Sequence, residues 1–210
     1  KKIVCENDTY LARAVIIATG AHHRKLGAKG EEILTGAGVS YCATCDGAFF
    51  KGKTTAVIGG GDVAIEDAIF LARMCSKVYL IHRRDELRGA KSLQNRLMSL
   101  DNVEVIWDTV VEEIVGSDKV EALKLNNKKT GEKSELKVDG VFVAVGIEPD
   151  SGQYAGQVET DNQGYIIAGE DGRTSVDGVF AAGDVRTKAL RQIITAAADG
   201  ANCITSAQSY

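Results

Sequence analysis

The chain has 210 residues and a formal net charge of −4; 44% of its residues are hydrophobic and 26% are charged. This is the composition of a globular protein with room for one large or two small domains, and its mild acidity gives no reason to expect a nucleic-acid partner. No run of about 18 apolar residues is present, so we expect no membrane span. Five cysteines without the spacing of a disulfide framework favour a reducing, cytoplasmic location.

The N-terminal segment predicts two strands. Lys2–Cys5 and Leu11–Ala18 are apolar runs on either side of an Asn7–Asp8 turn, and the second is continuous, as in a strand buried on both faces. It leads into Thr19 and Gly20, where small residues let another backbone or a flat ligand approach closely.

A close-spaced cysteine pair follows. Two residues separate Cys42 from Cys45, and Asp46 comes next. In such motifs the pKa of the attacking thiol falls to roughly 3.5–7, and a neighbouring carboxyl can move the proton that thiol–disulfide exchange requires. Structural zinc needs four ligands, usually with a second close pair, and no other cysteine or histidine pair has that spacing. The motif favours redox chemistry over half a zinc site or inert packing. A short helix over Cys42–Phe50 would place the sulfurs near its positive end.

A glycine-rich turn opens the next segment. The short apolar strand Thr54–Ile58 leads into a G-x-G-x-x-A motif and a helix to about Met74, and Lys77–Ile81 supplies the next strand. The first glycine permits a tight turn, the second admits a pyrophosphate, and the small third residue lets helix and strand pack closely. This βαβ unit favours dinucleotide binding over a structural turn. The residues assigned to it are Gly59, Gly61, Asp62 and Ala64.

The end of the second strand indicates which dinucleotide binds. An NAD site places an acidic residue there to bond the ribose 2′-hydroxyl, but this chain has His82, Arg83 and Arg84, with Arg88 shortly after. Arginine forks match phosphate oxygens. The cluster therefore favours NADPH over NADH and over a solvated basic surface.

The following segment predicts a helix and a small antiparallel meander. Residues 85–99 have the pattern of an amphipathic helix that packs through Leu87, Leu93, Leu97 and Leu100. Alternating runs with tight turns predict the meander, and Val141–Gly146 predicts a buried parallel strand. The meander runs are Val103–Trp107, Val110–Val115, Val120–Leu125 and Ser134–Val138.

The C-terminal segment places an acid at the end of a small-residue strand. Asp184 ends such a strand within Gly178–Val185, where its carboxylate can accept a bond from a ligand hydroxyl or cap the next turn. A final Ala-rich helix is predicted over Leu190–Ala207, with Arg191 and Gln192 at its start.

These motifs together resemble the low-molecular-weight, bacterial-type thioredoxin reductases, which are NADPH-dependent flavoproteins. The resemblance implies an α/β, two-domain pyridine-nucleotide-disulfide oxidoreductase, with a Rossmann-like NADPH domain inserted in an incomplete FAD domain. Residues 1–47 and 149–210 would belong to the FAD domain, and 48–148 would form the insert, with the redox dithiol at its entry. The resemblance rests on Ile17–Ala21, Cys42–Gly47, Gly59–Ala64, His82–Arg88, Gly178–Val185 and Arg191–Ala197.

The resemblance also implies an activity. Electrons would pass from NADPH through FAD to the dithiol and on to a thioredoxin disulfide, with a swing of one domain against the other in a homodimer. Cys45 would face the flavin, Cys42 would attack the substrate disulfide, and Asp46 would be the acid/base. Asp184 would hold the FAD ribityl or phosphate side. The remaining FAD residues would be Thr19 and Gly20 on the adenosine side and Arg191, Gln192 and Ile193 along the flavin.

Two departures from the family pattern limit this expectation. The family carries an N-terminal G-x-G-x-x-G for the FAD pyrophosphate, and no such motif precedes Lys1, so we expect this chain alone to bind FAD poorly and to be inactive. Ala28–Glu31 replaces the usual Pro-Gly-Glu. The alternatives are an NADP-binding module and a peroxidase-feeding disulfide reductase of similar fold, which tends to carry acidic residues in place of the basic cluster.

Overall fold

The computed structural model describes all 210 residues. It contains fourteen strands and five α-helices, and no helix combines the length and apolarity that crossing a membrane requires. Strands β1 to β14 span Lys2–Val4, Thr9–Leu11, Val15–Ile17, Ala21–His23, Val39–Ser40, Thr54–Gly59, Lys77–Ile81, Val103–Ile106, Thr109–Val115, Ala122–Asn127, Lys133–Lys137, Gly140–Ala144, Ile147–Pro149 and Val179–Ala181. Helices α1 to α5 span Glu31–Leu34, Ala43–Asp46, Asp62–Ala72, Lys91–Met98 and Ile193–Gln208, and 3-10 turns span Gly47–Phe50, Gly152–Tyr154 and Gly183–Val185.

The chain forms two compact units. The central unit is Arg24–Gly146, and the terminal unit combines Lys1–His23 with Ile147–Tyr210. The first division therefore lies well before the predicted boundary at residue 47, because β5 pairs in parallel with β12 and joins residues 24–47 to the central unit. The second division lies within two residues of the predicted one. Which cofactor each unit binds stays a prediction.

A five-stranded sheet organises the central unit. Its order is β5-β12-β6-β7-β8, and all neighbouring strands are parallel. Successive residues point to opposite faces, so Val57 and Phe142 pack with α3 while Ala56 and Val141 pack with the meander β9-β10-β11. Both faces are covered, which explains why these strands are continuous apolar runs.

Two elements of the central unit differ from prediction. Val103–Ile106 is not part of the meander, because it pairs in parallel with β7 and forms the edge of the main sheet. The predicted helix over 85–99 begins only at Lys91. The Arg88 N–H donates to Gly60 O and the Ala90 N–H to Asp62 Oδ1, both at 2.7 Å, so these amides have tertiary partners in place of helical ones. Leu87 and Leu97 are nevertheless buried in the core, as the pattern predicted.

The terminal unit contains three two-stranded sheets: β1-β2, β13-β4 and β14-β3. The predicted strand Leu11–Ala18 is in fact divided. Thr9–Leu11 pairs antiparallel with β1, whereas Val15–Ile17 pairs in parallel with β14. Helix α5 begins at Ile193 because the side chains of Gln192 and Thr195 cap its first turn reciprocally.

Asp67 supplies a stability test of this fold. It is half-buried on α3, where burial first and the charge of Glu66 second raise its pKa from 3.8 to about 6. The unfolded chain gives up this proton at lower pH than the native state does. Folding therefore loses stability as the pH rises from about 4 to 6, and the loss persists above that window.

We expect Asp67→Asn to raise the free energy of unfolding by about 1–3 kcal/mol at pH 8 and to have little effect at pH 4. Denaturant titrations at both pH values measure this difference. Asp118→Asn, at an exposed aspartate of the same unit, is the control. An equal gain at pH 4 and pH 8 would contradict the assignment.

Candidate functional site

A cavity of about 360 Å³ lies at the carboxyl edge of the central sheet, just beyond the last residues of β6, β7 and β12. Ligands of open α/β sheets bind at this edge. All the lining residues belong to the central unit. They are Arg24, Lys25, Leu26, Ile58, Gly59, Gly60, Ile81, His82, Arg83, Arg88, Thr109, Val110, Val111, Ala144 and Val145.

The glycine-rich turn forms the floor of this cavity. A Cβ on Gly59 would lie 2.4 Å from Ala144 O and 2.7 Å from Ala64 Cβ, so close packing requires a glycine there and a small residue at 64. Gly61, which precedes α3, has no atom within 4 Å of a Cβ position. The space beside Gly61 is open to a ligand, and the amides at the start of α3 suit an anion. The turn therefore fits a dinucleotide pyrophosphate.

His82 lies against this turn. A Cβ on Gly60 would be 2.2 Å from the imidazole, so the ring fills the place that a side chain would take. Burial first, and then the charge of Arg88, lower the pKa of His82. The imidazole is therefore neutral at pH 7, and its buried Nε2 has no hydrogen-bond partner. An unpartnered buried nitrogen in the wall of a cavity suits a polar ligand atom.

The predicted basic residues divide into two groups. Arg83 and Arg88 are exposed and line the cavity, whereas Arg84 is not among the lining residues. The Asp62 carboxylate accepts the Ala90 N–H, and its role in cofactor binding stays a prediction. Sequence reasoning missed Gly60, whose requirement depends on a tertiary contact.

A buried carboxylate holds the loop that contributes Arg24, Lys25 and Leu26 to the lining of the cavity. Glu31 accepts hydrogen bonds from the Leu26 and Gly27 N–H groups and from the Tyr41 hydroxyl, each at 2.8 Å. Burial first, and this hydrogen bond second, raise the pKa of Tyr41 to about 12. Glu31 thereby fixes both the wall that contains Arg24 and the residue before the cysteine pair.

The cysteine pair begins the short helix α2 and is closed as a disulfide. Cys42 is half-buried at the N-cap, and Cys45 is exposed. Cys42 Sγ accepts the Cys45 N–H at 3.2 Å and lies 3.3 Å from Thr44 Oγ1. Donors aimed at one sulfur favour its thiolate when the pair is reduced.

Asp46 ends α2 and contacts a residue that sequence reasoning missed. Ser40 Oγ donates to Asp46 Oδ2 at 2.6 Å and accepts the Cys42 N–H at 3.1 Å. Ser40 therefore connects the carboxylate to the backbone of the first cysteine. No local sequence signal marks this serine, because its role depends on how the chain turns back at α2.

In the terminal unit, several of the residues predicted to bind FAD lie outside regular helices and strands. Asp184 lies in the 3-10 turn after β14, and its buried Oδ1 has no partner. Arg191 Nε is also buried and unpartnered, while the guanidinium lies 4.0 Å from the centroid of the Tyr165 ring. An unpartnered acceptor and donor fit a polar ligand such as FAD. Ile193 is 90% exposed.

The other residues predicted for FAD have structural partners. Thr19 Oγ1 donates to Asp150 O at 2.6 Å, and Gly20 has φ +78°, a conformation that favours glycine. Gln192 caps α5. These contacts fix the backbone around Thr19, and what the residues bind stays a prediction.

A buried charge cluster holds the turn that contains Asp184. Asp199 on α5 accepts hydrogen bonds from Arg186 Nε and Lys188 Nζ at 2.8 Å each and from the Gly183 N–H at 2.9 Å. Burial alone would raise the pKa of Asp199, but these hydrogen bonds outweigh it and lower the pKa to about 2.

Comparison with known proteins identifies the family. The family model described as "Pyridine nucleotide-disulphide oxidoreductase" matches residues 1–200. Thioredoxin reductases of Listeria innocua and Listeria monocytogenes are 50% and 51% identical over the whole chain, which covers 66% of each. The solved thioredoxin reductase of Streptococcus pyogenes is 47% identical with a TM-score of 0.92, and the match covers the whole chain and 70% of that protein. The chain belongs to the thioredoxin reductase family.

This membership confirms the predicted α/β fold of the pyridine nucleotide-disulfide oxidoreductases. Thioredoxin reductases are FAD-containing, NADPH-dependent enzymes. The chain spans just under two thirds of the length of the Listeria relatives.

Asp199 provides a test of the charge cluster. We expect Asp199→Asn to lower the free energy of unfolding by about 3–5 kcal/mol at pH 7, because two buried cations lose their common partner. The contribution of the native carboxylate is present above about pH 4 and is lost as the pH falls toward 2. Thermal unfolding measures the change. Asp177→Asn, at an exposed aspartate of the same unit, is the control, and equal stability of the two variants would contradict the prediction.

Proposed function

We propose that this protein is an NADPH-dependent thioredoxin-disulfide reductase. It passes electrons from NADPH through FAD to the Cys42–Cys45 pair and on to a thioredoxin disulfide. The observation that carries this proposal is the presence, in one compact unit, of a closed cysteine pair and a cavity that combines a glycine-rich turn with Arg83 and Arg88. Because the chain spans about two thirds of the length of its relatives, the activity is proposed for a polypeptide of their full length.

The central unit binds the nucleotide in this proposal. The open space beside Gly61 receives the pyrophosphate at the start of α3. Arg83 and Arg88 supply guanidinium forks for the 2′-phosphate, and neutral His82 supplies an unpartnered nitrogen. The residues proposed for nucleotide binding or for shaping its site are Gly59, Gly61, Asp62, Ala64, His82, Arg83, Arg84 and Arg88.

The cysteine pair carries the exchange reaction. Two electrons and two protons convert the disulfide to a dithiol. Cys42 Sγ then attacks one sulfur of the substrate disulfide and releases the other as a thiolate, which takes up a proton. Cys45 Sγ attacks the Cys42 sulfur of the mixed disulfide, re-forms the original bond and releases the second substrate thiol. Asp46 moves the protons, and Ser40 orients its carboxylate.

The terminal unit holds part of the FAD site in this proposal. Bound FAD supplies a two-electron carrier between a hydride donor and a disulfide. Asp184 accepts a hydrogen bond from the ligand, Arg191 donates one, and exposed Ile193 provides apolar surface. Thr19, Gly20 and Gln192 shape the surrounding backbone. We also propose thioredoxin as the partner, a homodimer and a cytoplasmic location, all supported by family membership.

One observation favours a narrower function for the 210-residue chain itself. Every residue that lines the cavity belongs to the central unit, so this unit by itself has the parts of an NADP-binding module. Purified protein that is colourless but binds NADPH would support the module, whereas stoichiometric yellow FAD with NADPH-driven disulfide reduction would support the reductase.

The cysteine roles can be tested in FAD-loaded protein of full family length. We expect Cys42→Ser and Cys45→Ser each to reduce NADPH-driven thioredoxin reduction to about 1% or less, because neither single thiol can complete the exchange. Reduction of the flavin by NADPH, followed by its absorbance, should persist. Cys5→Ser, at an exposed cysteine outside the pair, is the control. Normal turnover in either pair variant would contradict the proposal.

The nucleotide preference can be tested on the chain as it stands. We expect Arg83→Ala to weaken NADP⁺ binding by about 10- to 100-fold through loss of charge-assisted hydrogen bonds, with little effect on NAD⁺. Calorimetric titration with both nucleotides measures this. Arg73→Ala removes an exposed arginine at the end of α3 as a control for net charge. An unchanged NADP⁺/NAD⁺ ratio in Arg83→Ala would refute the assignment.

A further inference from the structure

The segment between β7 and α4 carries Arg88 without any helix or strand of its own. An irregular, largely exposed segment has many conformations, and fixing one of them costs conformational entropy. A residue that must meet a phosphate at a set distance from the glycine-rich turn therefore needs its backbone to be held in advance.

Four consecutive residues of this segment are held through their backbone. The Arg88 N–H donates to Gly60 O at 2.7 Å, and the Ala90 N–H donates to Asp62 Oδ1 at 2.7 Å. The carbonyls on either side of Arg88 accept from a single side chain on α4. Gln94 Nε2 donates to Leu87 O at 3.2 Å and to Gly89 O at 2.7 Å.

The packing of the segment agrees with these bonds. Leu87 and Gly89 are buried, whereas Arg88 between them is exposed and lines the cavity. A Cβ on Gly89 would lie 2.5 Å from Ile65 Cδ1, so this backbone lies directly on α3. The side chain of Arg88 is thus directed away from the two buried neighbours, at a position set by the glycine-rich turn.

We propose that Gln94 is a positioning residue for nucleotide preference, whose amide holds Leu87–Ala90 on the glycine-rich turn and presents Arg88 to the 2′-phosphate. This inference rests on the NADPH role proposed for the cavity. Gln94 is half-buried on α4, is not among the residues that line the cavity, and acts only through Arg88. Sequence patterns give no indication of this role, because a glutamine on an amphipathic helix is an ordinary residue.

The test compares NADP⁺ and NAD⁺ binding by calorimetry in the 210-residue chain. Gln94→Met keeps the length of the side chain and removes both donors. We expect it to weaken NADP⁺ binding about tenfold, since the segment must then be ordered on binding, and to change NAD⁺ binding less than about twofold. Asn95→Ala, at the exposed next position of α4, should change neither. Thermal unfolding verifies that each variant is folded.

A double-mutant cycle separates positioning from a general structural role. In the Arg88→Ala background, Gln94→Met should change NADP⁺ affinity less than about twofold, because the residue through which it acts is gone. A full tenfold effect in that background would overturn the inference, as would equal losses for NADP⁺ and NAD⁺ in the single variant. A wild-type chain without preference for NADP⁺ would overturn the proposed function itself, and the inference with it.

Discussion

The central unit depends on a parallel sheet that is buried on both faces. Because parallel strands need crossovers, helices α3 and α4 cover one face, and the antiparallel meander covers the other. Covering both faces leaves the edge at the strand ends as the place where the chain can receive a ligand. Backbone N–H groups at the start of α3 and the cations that follow β7 reach this edge from neighbouring strands. The cavity is thus a consequence of the sheet.

The two units differ in whether their arginine and lysine side chains are exposed or buried in ion pairs. In the central unit the cations Arg83 and Arg88 are exposed on the cavity wall, where a phosphate can reach them. In the terminal unit Arg186 and Lys188 are buried and satisfied by Asp199. A buried cation that is already paired with a carboxylate has a structural role, whereas an exposed cation beside an anion-binding turn is available to a ligand.

Much of this molecule follows from local sequence. The run Thr54–Ala64 combines a short apolar strand with glycines at fixed spacing, and this local pattern is enough to predict the turn. The sequence-based prediction was wrong for two elements whose structure depends on tertiary partners. Val103–Ile106 alternates like a meander strand, yet it joins the parallel sheet because α4 returns the chain beside β7. Leu87 continues the helical spacing of the leucines on α4, but the N–H groups of Arg88 and Ala90 donate to the glycine-rich turn and to the start of α3. Ser40 and Gln94 could not be found from pattern, since each acts through residues that only folding brings near.

The contact between Gly60 and His82 has a consequence for how such sequences vary. The ring occupies the volume that any side chain at position 60 would need. A larger residue at 60 is compatible with this fold only if position 82 becomes smaller or its ring turns away. The two sites are therefore expected to diverge as a matched pair among related chains, and a substitution transferred alone from one relative to another would bring a steric clash with it.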